Sequence, residues 1–149
     1  MYLLDTSIIL ELLLDQEKAS EAEDFLRATP PDELHLSEFS LYSLGVILLR
    51  SRRSELFLKA LNDLLVNGGV QLVRLAPSDM PSLVQATQRF GLDFDDAYQY
   101  SVAKKYGLTL ISFDAHFDRT DRGRKTPAQL MPAQTDSAET PSEQDNEDA

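Results

Sequence analysis

Three apolar stretches of this chain run out at aspartates, and this pattern constrains the fold more than any other feature of the sequence. Asp5 follows residues 1–4, Asp114 follows residues 110–113, and Leu92 leads into a cluster that contains Asp96. A carboxylate after a buried strand is held at the rim of a core, where its charge is costly unless something offsets it. Carboxylates that converge from separate segments repel one another unless a cation lies between them. The pattern therefore favours a divalent-metal site built from oxygen ligands.

The segments between these aspartates predict short strands that alternate with one or two helices. Strands are expected at residues 1–5, 34–36, 70–75 and 108–112, and helices at about 6–14, 17–28, 54–65, 78–90 and 93–106, with another after an N-cap at Ser37. This alternation is typical of a parallel sheet covered on both faces. We therefore predict a three-layer α/β/α fold with a short, mostly parallel central sheet. Ligands of such sheets bind beyond the carboxyl ends of the strands, where Asp5 and Asp114 lie.

The 149 residues suffice for one domain with a real core. We assign that domain to residues 1–127. Residues 128–149 consist largely of Pro, Ala, Gln, Ser, Thr and acids. Such a composition cannot bury enough apolar surface to order itself, so we predict a disordered acidic tail.

The formal net charge of −11 argues at first against a nucleic-acid partner. Six acids lie after Lys125, however, and without them the charge of the remainder is −5. Most of that remainder is accounted for by the aspartates of the predicted metal site. An RNA or DNA substrate is therefore compatible with the charge.

The chain contains no cysteine, which excludes disulfides, thiolate zinc sites and a cysteine nucleophile. The N-terminus lacks a basic region and carries Asp5, which argues against a secretory signal. The apolar runs are too short to span a bilayer. We expect a cytoplasmic protein without a membrane partner.

Helical spacing separates the acids of the middle cluster. Asp93 and Asp96 are three residues apart and share a helix face, whereas Asp95 points elsewhere. Acids in a first helical turn are also favoured by the helix dipole, which accounts well for Asp93. Asp96 is flanked by Ala97 and Tyr100 on the side that should pack inward, so we favour Asp96 as a ligand. Asp93 is assigned to the helix cap or to the periphery of the site.

For each of the other acids, a purely structural role is an alternative to metal binding. Asp5, followed by Thr6, could merely cap a helix. Asp114 and Asp118 are four residues apart, so one helical turn would place both carboxylates on one side, but a solvated loop is the alternative. His116 would point away from both in such a turn, and we do not assign it to the site.

Taken together, these segments resemble the PIN domain, the metal-dependent nuclease fold of VapBC-type toxins. The matching residues are Asp5-Thr6-Ser7 after the opening strand, Asp96-Ala97 in a late helix, and residues 110–114 with Phe117-Asp118. The order of the motifs, the length, and residues 125–127, where the family often has a last short strand, also fit. The resemblance covers about residues 1–130.

The resemblance implies a metal-dependent endoribonuclease that hydrolyses RNA phosphodiester bonds. Asp5, Asp96 and Asp114 would be catalytic and, with Asp118, would hold Mg²⁺ or Mn²⁺. It further implies an antitoxin protein and a homodimer as partners. Two basic clusters could contact the RNA backbone, namely Arg50, Arg52 and Arg53, and Arg119, Arg122, Arg124 and Lys125.

One position departs from the family pattern. The family usually carries a glutamate two turns into the helix after the second strand, and here that place falls on or beside Ser43. Glu38 is the nearest acid, but it would sit in the first turn, where the helix dipole alone explains it. The alternative function is therefore a catalytically weakened PIN-like module that binds RNA or protein.

Two other α/β protein classes fit the sequence less well. A phosphoaspartyl hydrolase would need an acid where Ser7 stands, and a receiver domain would need a lysine after a late strand.

Overall fold

The centre of the molecule is a sheet of four short parallel strands, which a computed structural model describes together with the rest of residues 1–131. The strands are β1 (Tyr2–Leu4), β2 (Leu34–Ser37), β3 (Gln71–Val73) and β4 (Thr109–Ile111). They lie in the order β3-β2-β1-β4, and each neighbouring pair is parallel. The register places Leu4 beside Leu36 on one side and Ile111 on the other. The residues that follow β1, β2 and β4 therefore meet at one edge of the sheet.

Seven helices cover the sheet within the described part of the chain. They are α1 (Thr6–Leu13), α2 (Ala19–Ala28), α3 (Glu38–Arg50), α4 (Ser54–Leu61), α5 (Met80–Phe90), α6 (Phe94–Tyr106) and α7 (Pro127–Leu130). Ser37 caps α3 as predicted, because its hydroxyl accepts a hydrogen bond from the backbone N–H of Ser40 at 3.0 Å. Gly107 ends α6 at φ 65°, a left-handed conformation that glycine adopts without strain.

The helix predicted at residues 54–65 ends earlier than expected. After Leu61 the chain widens into a π-helical turn at Asn62–Val66, which the bond from the N–H of Asn67 to the carbonyl of Asn62 closes at 2.8 Å. Gly68 and Gly69 follow, so the wide turn carries the chain from α4 towards β3.

Alternate residues of the strands enter two different cores, and this gives the molecule three layers. Leu3 and Leu110 pack in a core with buried side chains of α5 and α6. Leu4 and Ile111 pack in a second core with buried side chains of α1, α2 and α3. Successive side chains of a strand point to opposite faces, so the helices must lie on both sides of the sheet. The predicted three-layer α/β/α architecture is confirmed.

The segment after β4 stays with the domain through residue 131. Lys125 forms a parallel bridge beside β4 and donates its N–H to the carbonyl of Leu110 at 2.8 Å, at the place where the PIN resemblance implied a last strand. The start predicted for the acidic tail, residue 128, falls inside α7. That helix lies against α2, and Leu130 and Met131 pack on the second core, which supplies the burial that the composition did not predict. The remainder of the predicted tail, 132–149, lies outside the described residues.

Among the helices within residues 1–131, none combines the length and the apolar character that crossing a bilayer requires.

The packing of α5 on α6 yields a prediction for stability. Leu83 on α5 is 1% exposed, whereas its neighbour Val84 is 49% exposed. Leu83→Ala should lower the free energy of unfolding by about 2–5 kcal/mol, because it removes buried methyl groups and leaves a cavity. Val84→Ala should change it by about 0.5 kcal/mol or less. Urea denaturation of the two variants checks this, and equal losses would contradict the assigned packing.

Candidate metal site

Asp5 lies directly after β1, and side chains from three other places in the chain fix its carboxylate. The residue is 8% exposed. Its Oδ1 accepts a hydrogen bond from Nε2 of Gln99 at 3.1 Å, and its Oδ2 accepts from the hydroxyls of Ser7 and Ser112 at 2.8 and 2.6 Å. Asp5 also occupies the N-cap position of α1, but its side chain makes no capping hydrogen bond there. The carboxylate is therefore oriented towards the edge of the sheet and not towards the helix.

Gln99 on α6 links Asp5 to the start of α3, and the sequence analysis missed it. It is 2% exposed; its Nε2 also donates to the hydroxyl of Ser40 at 2.6 Å, and its Oε1 accepts from the hydroxyl of Ser37 at 2.7 Å. Gln99 follows Asp96 by three residues, so helical spacing alone could have placed it on the same helix face as Asp96.

Asp96 lies in the first turn of α6, between buried neighbours. Ala97 and Tyr100 are 0% and 5% exposed, so the prediction that this side of the helix packs inward is confirmed. Burial raises the pKa of Asp96, and the nearby carboxylates of Asp114 and Asp5 raise it further. His116 opposes this shift. The carboxylates of Asp114 and Asp5 are thus close enough to disfavour the charged form of Asp96.

The two other acids at the start of α6 are exposed. Asp93 occupies the N-cap position with no capping hydrogen bond from its side chain. Asp95 lines the same cleft as Asp96 and is exposed, and its direction away from Asp96 stays a prediction. Adjacent residues of a helix differ by about 100° in direction, and a wide cleft can contact both of them.

Asp114 is the N-cap residue of the 3₁₀ turn Ala115–Arg119 that follows β4, and His116 lies within that turn. Oδ1 of Asp114 accepts the backbone N–H of His116 at 2.9 Å, which caps the turn. The ring Nδ1 of His116 lies 3.2 Å from Oδ1 of Asp114 and 3.3 Å from Oδ2 of Asp96. The prediction that His116 points away from the acids is therefore wrong. The prediction assumed an α-helical turn. In the capped 3₁₀ turn that the chain forms instead, the side chain of His116 lies next to Asp114.

Asp118 makes a different set of contacts. Its two carboxylate oxygens accept hydrogen bonds from Nε and Nη2 of Arg124, each at 3.2 Å, and its side chain is 59% exposed. Asp118 is thus engaged by an arginine, apart from the group formed by Asp96, Asp114 and His116. Its role as a metal ligand stays a prediction.

The basic cluster beside the acids is largely committed to internal contacts. Three arginines of this cluster donate to backbone carbonyls, Arg119 to Gly91, Arg122 to Ala103 and Leu108, and Arg124 to Ser112. These bonds hold the segment after β4 against α6 and the sheet. The cluster Arg50, Arg52 and Arg53 is exposed at the end of α3 and just after it.

A cleft at the carboxyl edge of the sheet contains Asp5, Asp96 and Asp114, and Ser43 on α3 lines it as well. The position at which the PIN resemblance places a glutamate thus faces the site here with a hydroxyl. Within the described residues, Glu38 is not among those that line the cleft. It begins α3, one turn or more before Ser43, so it does not take that place.

The aspartates of this cleft, with His116 beside the residues that line it, offer donor atoms that fit a divalent cation. Single ligand atoms of Asp96, Asp114 and His116 all lie within 4.8 Å of one another, and Asp5 borders the same cleft. Carboxylate oxygens suit Mg²⁺ and Mn²⁺, and an imidazole nitrogen suits first-row transition ions.

Comparison with solved structures supports the fold. A toxin–antitoxin complex from Klebsiella pneumoniae superposes with a TM-score of 0.68 at 21% identity, over 85% of this chain and 98% of that one. VapC20 of Mycobacterium tuberculosis, a toxin that cleaves the sarcin–ricin loop, gives 0.66 at 17% identity over 77% and 91%. FitAcB from Neisseria gonorrhoeae gives 0.66 at 23% identity over 87% and 100%. At these identities the likeness concerns the fold alone.

No curated protein matches the sequence. The family model of the PIN domain matches residues 2–123, which span all four strands together with Asp5, Asp96 and Asp114. With that match, the chain belongs to the PIN domain family, whose members are generally nucleases.

Proposed function

We propose that this protein is a metal-dependent endoribonuclease that hydrolyses phosphodiester bonds of RNA. The observation that carries the proposal is the convergence of Asp5, Asp96 and Asp114 in one cleft of a PIN domain. Three carboxylates from separate segments are costly to hold together without a cation. In a nuclease fold, such a site would bind a divalent ion next to a phosphate group of the substrate.

Asp96 and Asp114 would hold the ion, Mg²⁺ or Mn²⁺, with Asp5 beside them. When bound, such an ion supplies Lewis acidity towards the phosphodiester and its attacking water. Gln99, Ser7 and Ser112 fix the orientation of the Asp5 carboxylate through their hydrogen bonds, so this group needs little rearrangement on binding. Burial of Asp5 also shields its two carboxylate oxygens from competing water.

One structural neighbour and the positions of exposed arginines support RNA as the substrate. One structural neighbour, VapC20, is a toxin that cleaves the sarcin–ricin loop. In this chain Arg50, Arg52 and Arg53 are exposed, whereas the arginines after β4 bind carbonyls of their own domain. We therefore assign backbone contacts with the RNA first to the cluster at the end of α3.

We further propose a toxin role with an antitoxin protein as partner, supported by the toxin–antitoxin complex among the structural neighbours. Association into a homodimer is part of the same proposal. Size-exclusion chromatography with light scattering reports the mass of the isolated protein and of a complex with the product of an adjacent reading frame.

A catalytically weakened module that binds RNA or protein is the second candidate function. Ser43 favours it, because this residue brings a hydroxyl to the cleft where the family usually has a carboxylate. The two functions differ in metal binding. Saturable Mn²⁺ binding in calorimetry supports the nuclease, and no binding at millimolar Mn²⁺ supports the weakened module.

Asp96→Asn should lower the rate of RNA cleavage at least about a hundredfold, because the variant lacks a charged ligand. In metal-free buffer the same variant should have a higher Tm than the wild type, since it relieves the burial and repulsion that raise the pKa of Asp96. Cleavage of a structured RNA in Mg²⁺ or Mn²⁺ and thermal unfolding in EDTA measure the two effects.

Asp24→Asn is the matched control for that variant. Asp24 is exposed on α2 and loses the same charge, so both cleavage and Tm should stay close to the wild type. Robust cleavage by Asp96→Asn would refute the role assigned to Asp96.

Ser43→Glu should tighten Mn²⁺ binding about tenfold, which corresponds to about 1.4 kcal/mol, because it returns a carboxylate to the α3 side of the cleft. Ser43→Gln has nearly the same size without the charge and serves as the control. Calorimetric titration of both variants measures the difference. Equal affinities in the two variants would show that position 43 does not reach the ion.

A further inference from the structure

His116 places a nitrogen donor among the carboxylates of the proposed metal site. Its Nδ1 lies 3.2 Å from Oδ1 of Asp114 and 3.3 Å from Oδ2 of Asp96. Two ligand atoms in adjacent positions of an octahedral ion with bonds of about 2.1 Å lie about 3 Å apart. The observed separations are close to that spacing. The nitrogen of His116 is therefore placed as a neighbouring ligand of either carboxylate would be.

Asp5 and Asp95 also line the cleft, but neither belongs to the group of ligand atoms that lie within 4.8 Å of one another. Ser43 lines the cleft from α3, and hydrogen bonds from Gln99, Ser7 and Ser112 hold the carboxylate of Asp5 in place. Asp118 is paired with Arg124. The ring of His116 is thus the donor best placed to complete the set begun by Asp96 and Asp114.

The local backbone fixes the position of the His116 ring. Asp114 caps the 3₁₀ turn by accepting the backbone N–H of His116, and Phe117, the next residue, is fully buried in the core with α5 and α6. The turn is therefore anchored on both sides of His116. The side chain itself is 56% exposed, so it is accessible to an ion that enters the cleft.

We propose that His116 is a metal ligand in this protein and that its nitrogen makes the site select first-row transition ions over Mg²⁺. The inference rests on the proposed metal-dependent function. Mg²⁺ requires hard oxygen ligands in near-ideal octahedral geometry, whereas imidazole nitrogen binds transition ions well. For a mixed nitrogen and oxygen site the affinity order is Co²⁺ above Mn²⁺ above Mg²⁺.

The same short distances would also arise if a protonated His116 acted only as a counter-charge for Asp96 and Asp114. That arrangement leaves the site without a nitrogen ligand, because a bound ion would displace the ring. The two arrangements therefore differ in a property that is independent of activity, namely nitrogen coordination to the bound ion.

Electron spin-echo envelope modulation of Mn²⁺ bound to the full chain measures that property. The wild type should show coupling to ¹⁴N from a directly bound imidazole. His116→Ala and His116→Asp should both lose the coupling. His116→Asp supplies an oxygen ligand instead, so calorimetry should show its preference for Mn²⁺ over Mg²⁺ reduced at least about tenfold. Circular dichroism verifies that the variants are folded.

The outcomes separate this inference from the proposed function. Nitrogen coupling that disappears in both variants supports His116 as a ligand. Saturable Mn²⁺ binding without nitrogen coupling in the wild type overturns the inference and leaves the carboxylate metal site intact. No saturable binding of Mn²⁺ or Co²⁺ by the wild type overturns both.

Discussion

A charged carboxylate can be held at 8% exposure near two others only where polar donors surround it, and Asp5 meets that condition. Its donors come from α1, from α6 and from the residue after β4, and Gln99 extends the same hydrogen-bonded network to the start of α3. The network therefore joins the elements that form the cleft. Asp96 and Asp114 approach Asp5 because these elements are fixed around it, and their repulsion is the property that a cation would relieve.

The parts of the fold that the sequence predicted depend on local periodicity. Short apolar runs and helical spacing located all four strands and the inward-facing side of α6, and the parallel order of β1 and β4 then brought Asp5 and Asp114 to one edge. The errors that affect the site concern the segment after β4. An α-helical turn would pair Asp114 with Asp118, but the chain forms a 3₁₀ turn there, which directs His116 to the acids. Arg124 engages Asp118, and no local pattern indicates that partner.

The α3 side of the cleft shows how this chain differs from the pattern that it resembles. Ser37, Ser40 and Thr6 form a set of linked hydroxyls there, and Ser43 faces the cleft above them. Hydroxyls add no charge, so they support the buried amide of Gln99 without adding to the repulsion among the aspartates. The fold forms with serine at position 43. Under the proposed function the difference concerns the metal, whose ligands would come mainly from α6 and from the turn after β4.

The proposed function depends on a divalent-metal site formed by the convergent aspartates. A crystal of the full chain soaked in Mn²⁺ tests this site directly, because anomalous scattering locates the ion. We expect an anomalous peak in the cleft at about 2 Å from carboxylate oxygens of Asp96 and Asp114. A saturating soak that leaves the cleft without a peak, or that places Mn²⁺ only on other acids, would contradict it.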